Sequence, residues 1–524
     1  AVKSAAKNGA NMVLFGEMAI TGYPIEDLAA RESFIVAAAA AVKNLSVRLD
    51  QAGFGEIAVV IGHPALAPKR ESHNWAIAQN CASVLMGGEI IGRYAKHHLP
   101  NYSVFDEYRI FVPGNDLLSF DFMGLKFSTL ICEDIWQSGG PVAQLATSNT
   151  DVVLVLNGSP FEIDKDDKRQ KLVRDLATAN HAAVAYVNLV GGQDDLVFDG
   201  DSLLVDASGK LAGRAAQFET DLIFFDIESK NEIEMIGEPR VTKSDDREQV
   251  WNALVLGLRD YVNKNGFKSV VLGLSGGIDS AVCASIAADA LGADRVYGVS
   301  MPSRYSSEHS RSDADDSAER IGLHFRTEPI ESMVNAFESQ LGLQGVAAEN
   351  LQARMRGVIL MGLSNAEGHL TLTTGNKTEL AVGYSTIYGD SVGGFAPIKD
   401  VEKTLVWELA KWRNEFASSK GLTPPIPENS ISKPPSAELR PDQTDQDSLP
   451  DYELLDELLD NYVEKRLGRE QIIDLGFEAA VVDRIIGLVD KAEWKRRQGA
   501  IGPKITGMAF GRDRRLPITN RSHK

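Results

Sequence analysis

Three residues of reactive type each stand where an apolar run gives way to polar sequence. Glu17 follows MVLFG, Lys96 follows EIIGRYA and Cys132 follows FSTLI. Amide hydrolysis needs a nucleophile, a base that takes and returns a proton, and a cation facing the developing oxyanion, and Cys, Glu and Lys supply these in turn. If the three strands are neighbours, their side chains converge on one rim of a sheet. Each residue taken alone has an ordinary reading: a cysteine after an apolar strand is usually buried and inert, and a single Glu or Lys is usually a surface charge. Cys81 and Cys283 lie inside apolar patterns without such partners and read as core.

A second stretch carries different chemistry. In GLSGGIDS, residues 273–280, an apolar run meets the start of a helical pattern. Gly273, Gly276 and Gly277 let backbone amides approach a polyanion closely, and the helix N-terminus adds positive potential. Ser275 and Ser280 offer further donors to phosphate oxygens. Asp279 is out of place beside phosphates unless a cation bridges them, which points to Mg²⁺. No Gly-Lys-Ser/Thr follows, so this is not a Walker A loop. TTGNKTE, residues 373–379, ends the next apolar strand, where ligands gather in an open α/β sheet. Glu379 can join Asp279 on a metal; by itself it reads as a helix-start residue.

The elements that must position these residues form two blocks. In the first, strand-like runs (12–15, 57–62, 127–131, 152–157, 183–189 and 222–227) alternate with alanine-rich helices near 33–49 and 168–181. This predicts a layered α/β domain ending near residue 227, then a polar linker over 228–245. The second block, 246–524, opens with an amphipathic helix. Strand 269–275, helix 280–291, strand 296–300, a helix near 312–321 and strand 369–374 follow. That order predicts a doubly wound parallel sheet. Residues 423–450 read as a loop or lid, and helical pattern resumes over 451–497.

The chain has 524 residues, with 54 Lys+Arg against 73 Asp+Glu and a net charge of −19. This acidity argues against nucleic acid as the main partner. The longest apolar run, nine residues over 34–42, is well short of the ~20 needed to span a bilayer. Three scattered cysteines suit a reducing, cytoplasmic compartment rather than a disulfide framework. The opening residues lack both an initiator Met and a signal-peptide layout, so material is expected before Ala1. Residues 491–524 hold ten Lys/Arg against Glu493 and Asp513, a local +8. This tail reads mostly as a solvated basic face, with Lys495, Arg496 and Arg497 as candidates to offset phosphate charge.

These segments carry a resemblance. SGGIDS resembles the loop of the N-type ATP pyrophosphatases. ENLQARMRG, TTGNKTELAVGYSTIYGD, APIKDVEKT, SLPDYELLD and EWKRRQ are similar to the synthetase domain of the NAD synthetases. FGEMAITGYPIEDL, KHHLPNYSVFDEYRIFVPG, LICEDIW and NGSPF resemble the nitrilase-type glutaminase fused to it in glutamine-dependent members. The resemblance implies an αββα nitrilase-like sandwich (1–227), lacking the family's first strand, followed by a Rossmann-like ATP pyrophosphatase domain (246–524). It implies Glu17 as general base, Lys96 as stabiliser of the tetrahedral intermediate and Cys132 as the thioester nucleophile. Tyr102, Ser159 and Lys165 would hold glutamine, with Glu107 as a supporting carboxylate. Ser275, Gly276, Gly277, Asp279, Ser280 and Thr374 would hold ATP, with Lys403 and Ser436 as further candidates. Asp279 and Glu379 would hold Mg²⁺, and Asn350, Lys495 and Glu379 would contact deamido-NAD. Gly394 stands where the ammonia-only branch has an acidic substrate contact. The implied activity is ATP-dependent amidation of deamido-NAD with nitrogen from glutamine, in a large homo-oligomer. Two alternatives are another glutamine-fed adenylating amidotransferase and a nucleotide-binding regulatory protein with an inactive glutaminase.

Overall fold

The computed structural model describes residues 1–68, 76–229, 233–236, 243–441 and 443–519. The chain separates into two compact units, Ala1–Gln193 with Phe198–Ser244, and Asp245–Lys524 with the short segment Asp194–Val197.

The first unit is built on two sheets. One runs in the order Met12–Leu14, Ala58–Leu66, Ala78–Met86, Glu89–Ala95, parallel in its first pair and antiparallel after. The other has six strands, in the order Leu211–Arg214, Leu203–Val205, Ala183–Asn188, Val152–Asn157, Leu125–Ile131, Leu118–Phe122. Its central pairs are parallel. Every residue of Val152–Asn157 is buried, as expected of a parallel strand covered on both faces. Val60, Val84 and Tyr94 of the first sheet share one core with Leu130, Leu154 and Val184 of the second, so the sheets pack face to face. The helix Glu32–Leu49 sets Val42 against the outer side of the first sheet, and Lys165–Asn180 sets Val173, Leu176 and Ala177 against the second. This is the expected αββα sandwich.

The second unit has a four-stranded, all-parallel sheet in the order His324–Thr327, Val296–Ser300, Val270–Gly273, Leu370–Leu372. Chain order reverses across the central strand Val270–Gly273, which makes its carboxyl end the ligand-binding crevice of a doubly wound fold. The helix after it, Ile278–Leu291, is buried nearly all round, which suits its alanine-rich composition. Asp245 caps the helix Asp246–Lys264 by accepting from the amides of Arg247 and Glu248.

Several expected elements differ. Of the expected strand 222–227, Ile223 and Phe225 pack on the core, and among the described residues the assigned strand covers Asp226–Ser229. It pairs antiparallel with Ile233–Ile236, so the expected linker contains a hairpin; residues 230–232 and 237–242 lie outside the described residues. The loop 423–450 holds a short helix, Glu428–Ser432. The helical stretch 451–497 is broken into segments, with left-handed Arg466 at φ 57° and Gly476 at φ 104° between them. Among the described residues no helix is long and apolar enough to cross a membrane.

Candidate active sites

Glu17, Lys96 and Cys132 come together, though not on one sheet. Glu17 and Lys96 follow the two edge strands of the first sheet, and Cys132 follows a strand of the second. The rim predicted for a single sheet is therefore the facing ends of two, because the sandwich stacks Ala78–Met86 on Leu125–Ile131. Gly62 makes the Glu17 turn possible: a Cβ there would lie 2.7 Å from the Glu17 Cα and 2.4 Å from the Met18 amide.

Each reactive group is fixed by neighbours. Glu17 Oε1 accepts from Lys96 Nζ at 2.8 Å and Asn80 Nδ2 at 2.6 Å, and Oε2 from the Gly158 amide at 2.7 Å. Lys96 Nζ also donates to Glu107 Oε1 at 2.9 Å, which accepts from the Tyr23 hydroxyl at 2.7 Å. Glu17, Lys96 and Glu107 are all buried. Burial acts to lower the Lys96 ammonium, but Glu107 and Glu17 outweigh it and hold it well above the ordinary lysine value. Glu107 is pushed up to about 7 by burial, against Lys96. Burial, then Glu17, drives the Cys132 thiol well above its usual value, with Lys96 opposing. The thiol is thus the resting form, and attack requires a base at hand. Cys132 also adopts left-handed φ 43°, unfavourable for a side chain and typical of a reactive residue held on a tight turn.

Asp134 holds that turn and escaped sequence reading. It accepts from the Ile131 amide and the Tyr94 hydroxyl on Oδ2, and from the His97 and His98 amides on Oδ1. The signal was a carboxylate two residues after the cysteine. Asn80, a polar residue inside an apolar strand, was missed too. Of the expected glutamine ligands, half-exposed Tyr102 donates to Glu133 at 2.8 Å. Ser159 is buried, its amide and carbonyl both held by Asn188. Lys165 pairs with Glu162 at 3.3 Å.

In the second unit a cavity of about 300 Å³ opens at the carboxyl ends of the sheet. Gly273, Ser275, Gly277, Asp279, Ser280, Thr374, Glu379, Lys403 and Ser436 all line it. Gly276 does not. It turns the loop at φ 80° with its carbonyl held by Ser430, and a Cβ would lie 2.2 Å from the Ser310 carbonyl oxygen. Lys403 Nζ contacts Asp279, with Glu379 at 3.4 Å. Asn376 joins the same two residues, donating to Asp279 and accepting from the Glu379 amide. Burial pushes Glu379 up to about 8 despite Lys403, and Asp279 adds to the rise. Two oxygen donors that repel each other suit a hard divalent cation completed by phosphate oxygens. Among the described residues no group of three or more His, Cys, Asp or Glu is placed to hold a metal.

Asn350 and Lys495 do not line this cavity. Asn350 accepts from Thr386, and Lys495 donates to the carbonyls of Gly383 and Ser385, so both support the neighbouring 383–390 loop. Arg496 is not a free phosphate partner: it is buried on Glu493 and on the carbonyls of Ala381 and Val489. Lys504, also in the basic tail, is buried against Asp513. Arg521 and Lys524 lie outside the described residues.

Residues 1–235 match the family model for carbon-nitrogen hydrolases, and 250–499 that for NAD synthase. The glutamine-dependent NAD(+) synthetase of Acinetobacter baylyi is 47% identical across 98% of this chain and 93% of that protein. The Aquifex aeolicus protein of the same name is 42% identical across 98% and 94%. The solved structure of the Acinetobacter baumannii glutamine-dependent NAD+ synthetase, in complex with adenosine diphosphate, superposes with a TM-score of 0.77. It is 43% identical and covers 99% of this chain and 94% of that one. On this likeness across both units, the chain belongs to the glutamine-dependent NAD(+) synthetases.

Proposed function

We propose that this chain makes NAD from deamido-NAD and ATP using nitrogen from glutamine, with each unit performing one half of the chemistry. The observation that carries the division is the buried Glu17–Lys96 pair set beside Cys132 in a unit separate from the loop 273–280.

In the first unit Cys132 Sγ attacks the glutamine carboxamide while Glu17 takes the thiol proton. Lys96, kept protonated by Glu107, faces the oxyanion. Glu17 returns the proton to the departing ammonia, then accepts one from the water that opens the thioester to glutamate. Tyr102, Ser159 and Lys165 hold the amino acid.

In the second unit the loop amides, Ser275, Ser280 and Thr374 hold ATP. Mg²⁺, held by Asp279 and Glu379, would supply charge neutralisation at the phosphates. The deamido-NAD carboxylate attacks the α-phosphate, pyrophosphate leaves, and ammonia displaces AMP from the adenylate. Lys403 stays near both carboxylates and has Trp407 and Tyr452 rings at 5.7 and 5.4 Å, so it remains a fixed cation beside the departing charge. Asn350 and Lys495 act on deamido-NAD by shaping the 383–390 loop. The enzyme works in the cytoplasm as a homo-oligomer.

The test compares wild type with Cys132→Ala in NAD formation from deamido-NAD, ATP and Mg²⁺, fed either glutamine or ammonium. Failure of the variant with glutamine and success with ammonium is expected. Equal loss with both nitrogen sources would refute the division of labour.

A further inference from the structure

The cavity of the second unit is lined by four cationic side chains, Arg311, Arg356, Lys403 and Lys433. Lys403 lies against Asp279 and Glu379, and Lys433 lies 3.2 Å from Glu438. Arg311 is exposed to solvent and donates to the Ser303 carbonyl. Arg356 differs from all three. Its Nε donates to the Met301 carbonyl at 3.0 Å, and among the described residues no carboxylate lies within 4 Å of its guanidinium. Among the described residues Nη1 and Nη2 have no acceptor, yet neither is sealed off, and the side chain opens on the cavity. Burial pulls its pKa down to about 10, with Glu438 and Asp390 only partly opposing.

A partly buried guanidinium without an anion is held at a cost, and such a group persists where a ligand completes it. Its position narrows the ligand. Met301 follows the strand Val296–Ser300, neighbour of the strand that feeds the loop 273–280. The helix carrying Arg356, Val346–Glu367, also carries Asn350, and Asp390 lines the same cavity. Arg356 therefore lines the cavity beside the strand next to the glycine-rich loop, on the helix whose Asn350 holds the 383–390 loop, and two phosphate-bearing molecules must meet in that cavity. Two parallel N–H groups match two oxygens of one phosphate, a fit an ammonium lacks.

We propose that Arg356 binds a phosphate of a nucleotide held in this cavity, through paired hydrogen bonds from Nη1 and Nη2. This rests on the synthetase reading of the second unit. Both ATP and deamido-NAD carry such a phosphate, and the experiment separates them.

Full-length wild type, Arg356→Met and Arg356→Lys are titrated calorimetrically with ATP plus Mg²⁺ and, separately, with deamido-NAD. Arg356→Met is expected to weaken one of the two by about 10- to 100-fold, the scale of a lost charge-assisted pair. Arg356→Lys loses less, because it keeps the charge without the fork. The nucleotide that weakens identifies the phosphate. The Tm of Arg356→Met without nucleotide is expected at or above that of wild type, an outcome a purely structural arginine would not give. Both affinities within threefold of wild type in Arg356→Met overturn the proposal while leaving the synthetase reading intact. Wild type that binds neither nucleotide overturns both. Should Arg356→Met fail to fold, unchanged binding of both nucleotides by Arg356→Lys decides against the paired contact.

Discussion

The Asp134 carboxylate lies 2.9 Å from the amide of His98, and through this contact the strand end that presents Lys96 is tied to the turn that presents Cys132. The same carboxylate holds the Ile131 amide just before the nucleophile. One side chain thus fixes the distance between two reactive groups that the topology places on different sheets.

Replacing Asp134 by Asn keeps the shape but turns one face of the group into a donor. That face must then meet either two backbone amides or an amide and the Tyr94 hydroxyl. Glutamine hydrolysis should fall about 100-fold, the scale of an ångström-level misplacement. The loss should appear in kcat more than in KM, and ammonium-fed NAD formation should persist. Parallel glutaminase and ammonium assays on Asp134→Asn check this; unchanged glutaminase kinetics would show that the clamp is dispensable.

The αββα sandwich and the doubly wound sheet were legible because buried strands and the strand–turn–helix at 270–291 leave strong local patterns. The reactive trio was legible as residue types at strand ends. What joins them was legible only for Glu107, through the resemblance; Asn80 looked like one more residue of an apolar strand, and Asp134 acts across the two sheets, where no local spacing reports which sheets face each other. Arg496 looked like a phosphate ligand because charge is visible in sequence, whereas the carbonyls that absorb it are not.

His63 supplies an acid-sensitive step. It is fully buried, with Nε2 2.8 Å from Ser83 Oγ and Nδ1 3.0 Å from the Pro64 carbonyl. Burial lowers its pKa to about 4, from 6.5. The unfolded chain therefore binds the proton first. The neutral ring's contribution is complete above pH 6.5 and is lost as pH falls toward 4, by about 3 kcal/mol in all. Urea unfolding of wild type and His63→Gln between pH 4 and 7 tests this. The variant should show a shallower fall in stability, and parallel curves would count against His63 as the source.

Asp279 and Glu379 are expected to set the divalent-cation requirement. In Asp279→Asn or Glu379→Gln the Mg²⁺ concentration for half-maximal ammonium-fed synthesis should rise on the order of 100-fold, since loss even of an indirect partner costs ~10–100-fold. Labelling of Cys132 by an electrophilic glutamine analogue, followed by mass, should proceed in both variants. A Mg²⁺ dependence equal to wild type in both would remove these carboxylates from the metal site.

Gly276 and Gly277 are adjacent and should fail differently. An alanine at 276 must hold φ 80° and place its Cβ 2.2 Å from the backbone oxygen of Ser310. The left-handed conformation alone costs roughly 1–2 kcal/mol, and a backbone atom cannot swing aside as a side chain would. Gly276→Ala is therefore expected to lower Tm by several degrees, with nucleotide binding falling as a consequence. Gly277 has φ −82°, and its Cβ would meet only Ser275 Oγ at 3.4 Å, an ordinary contact. Gly277→Ala should keep the wild-type Tm yet weaken ATP, because the added methyl stands on the cavity wall where the phosphates approach the amides. Thermal unfolding with and without ATP plus Mg²⁺ separates the two effects. If Gly277→Ala retains the full ATP-induced rise in Tm, the loop amides do not approach phosphate at that position.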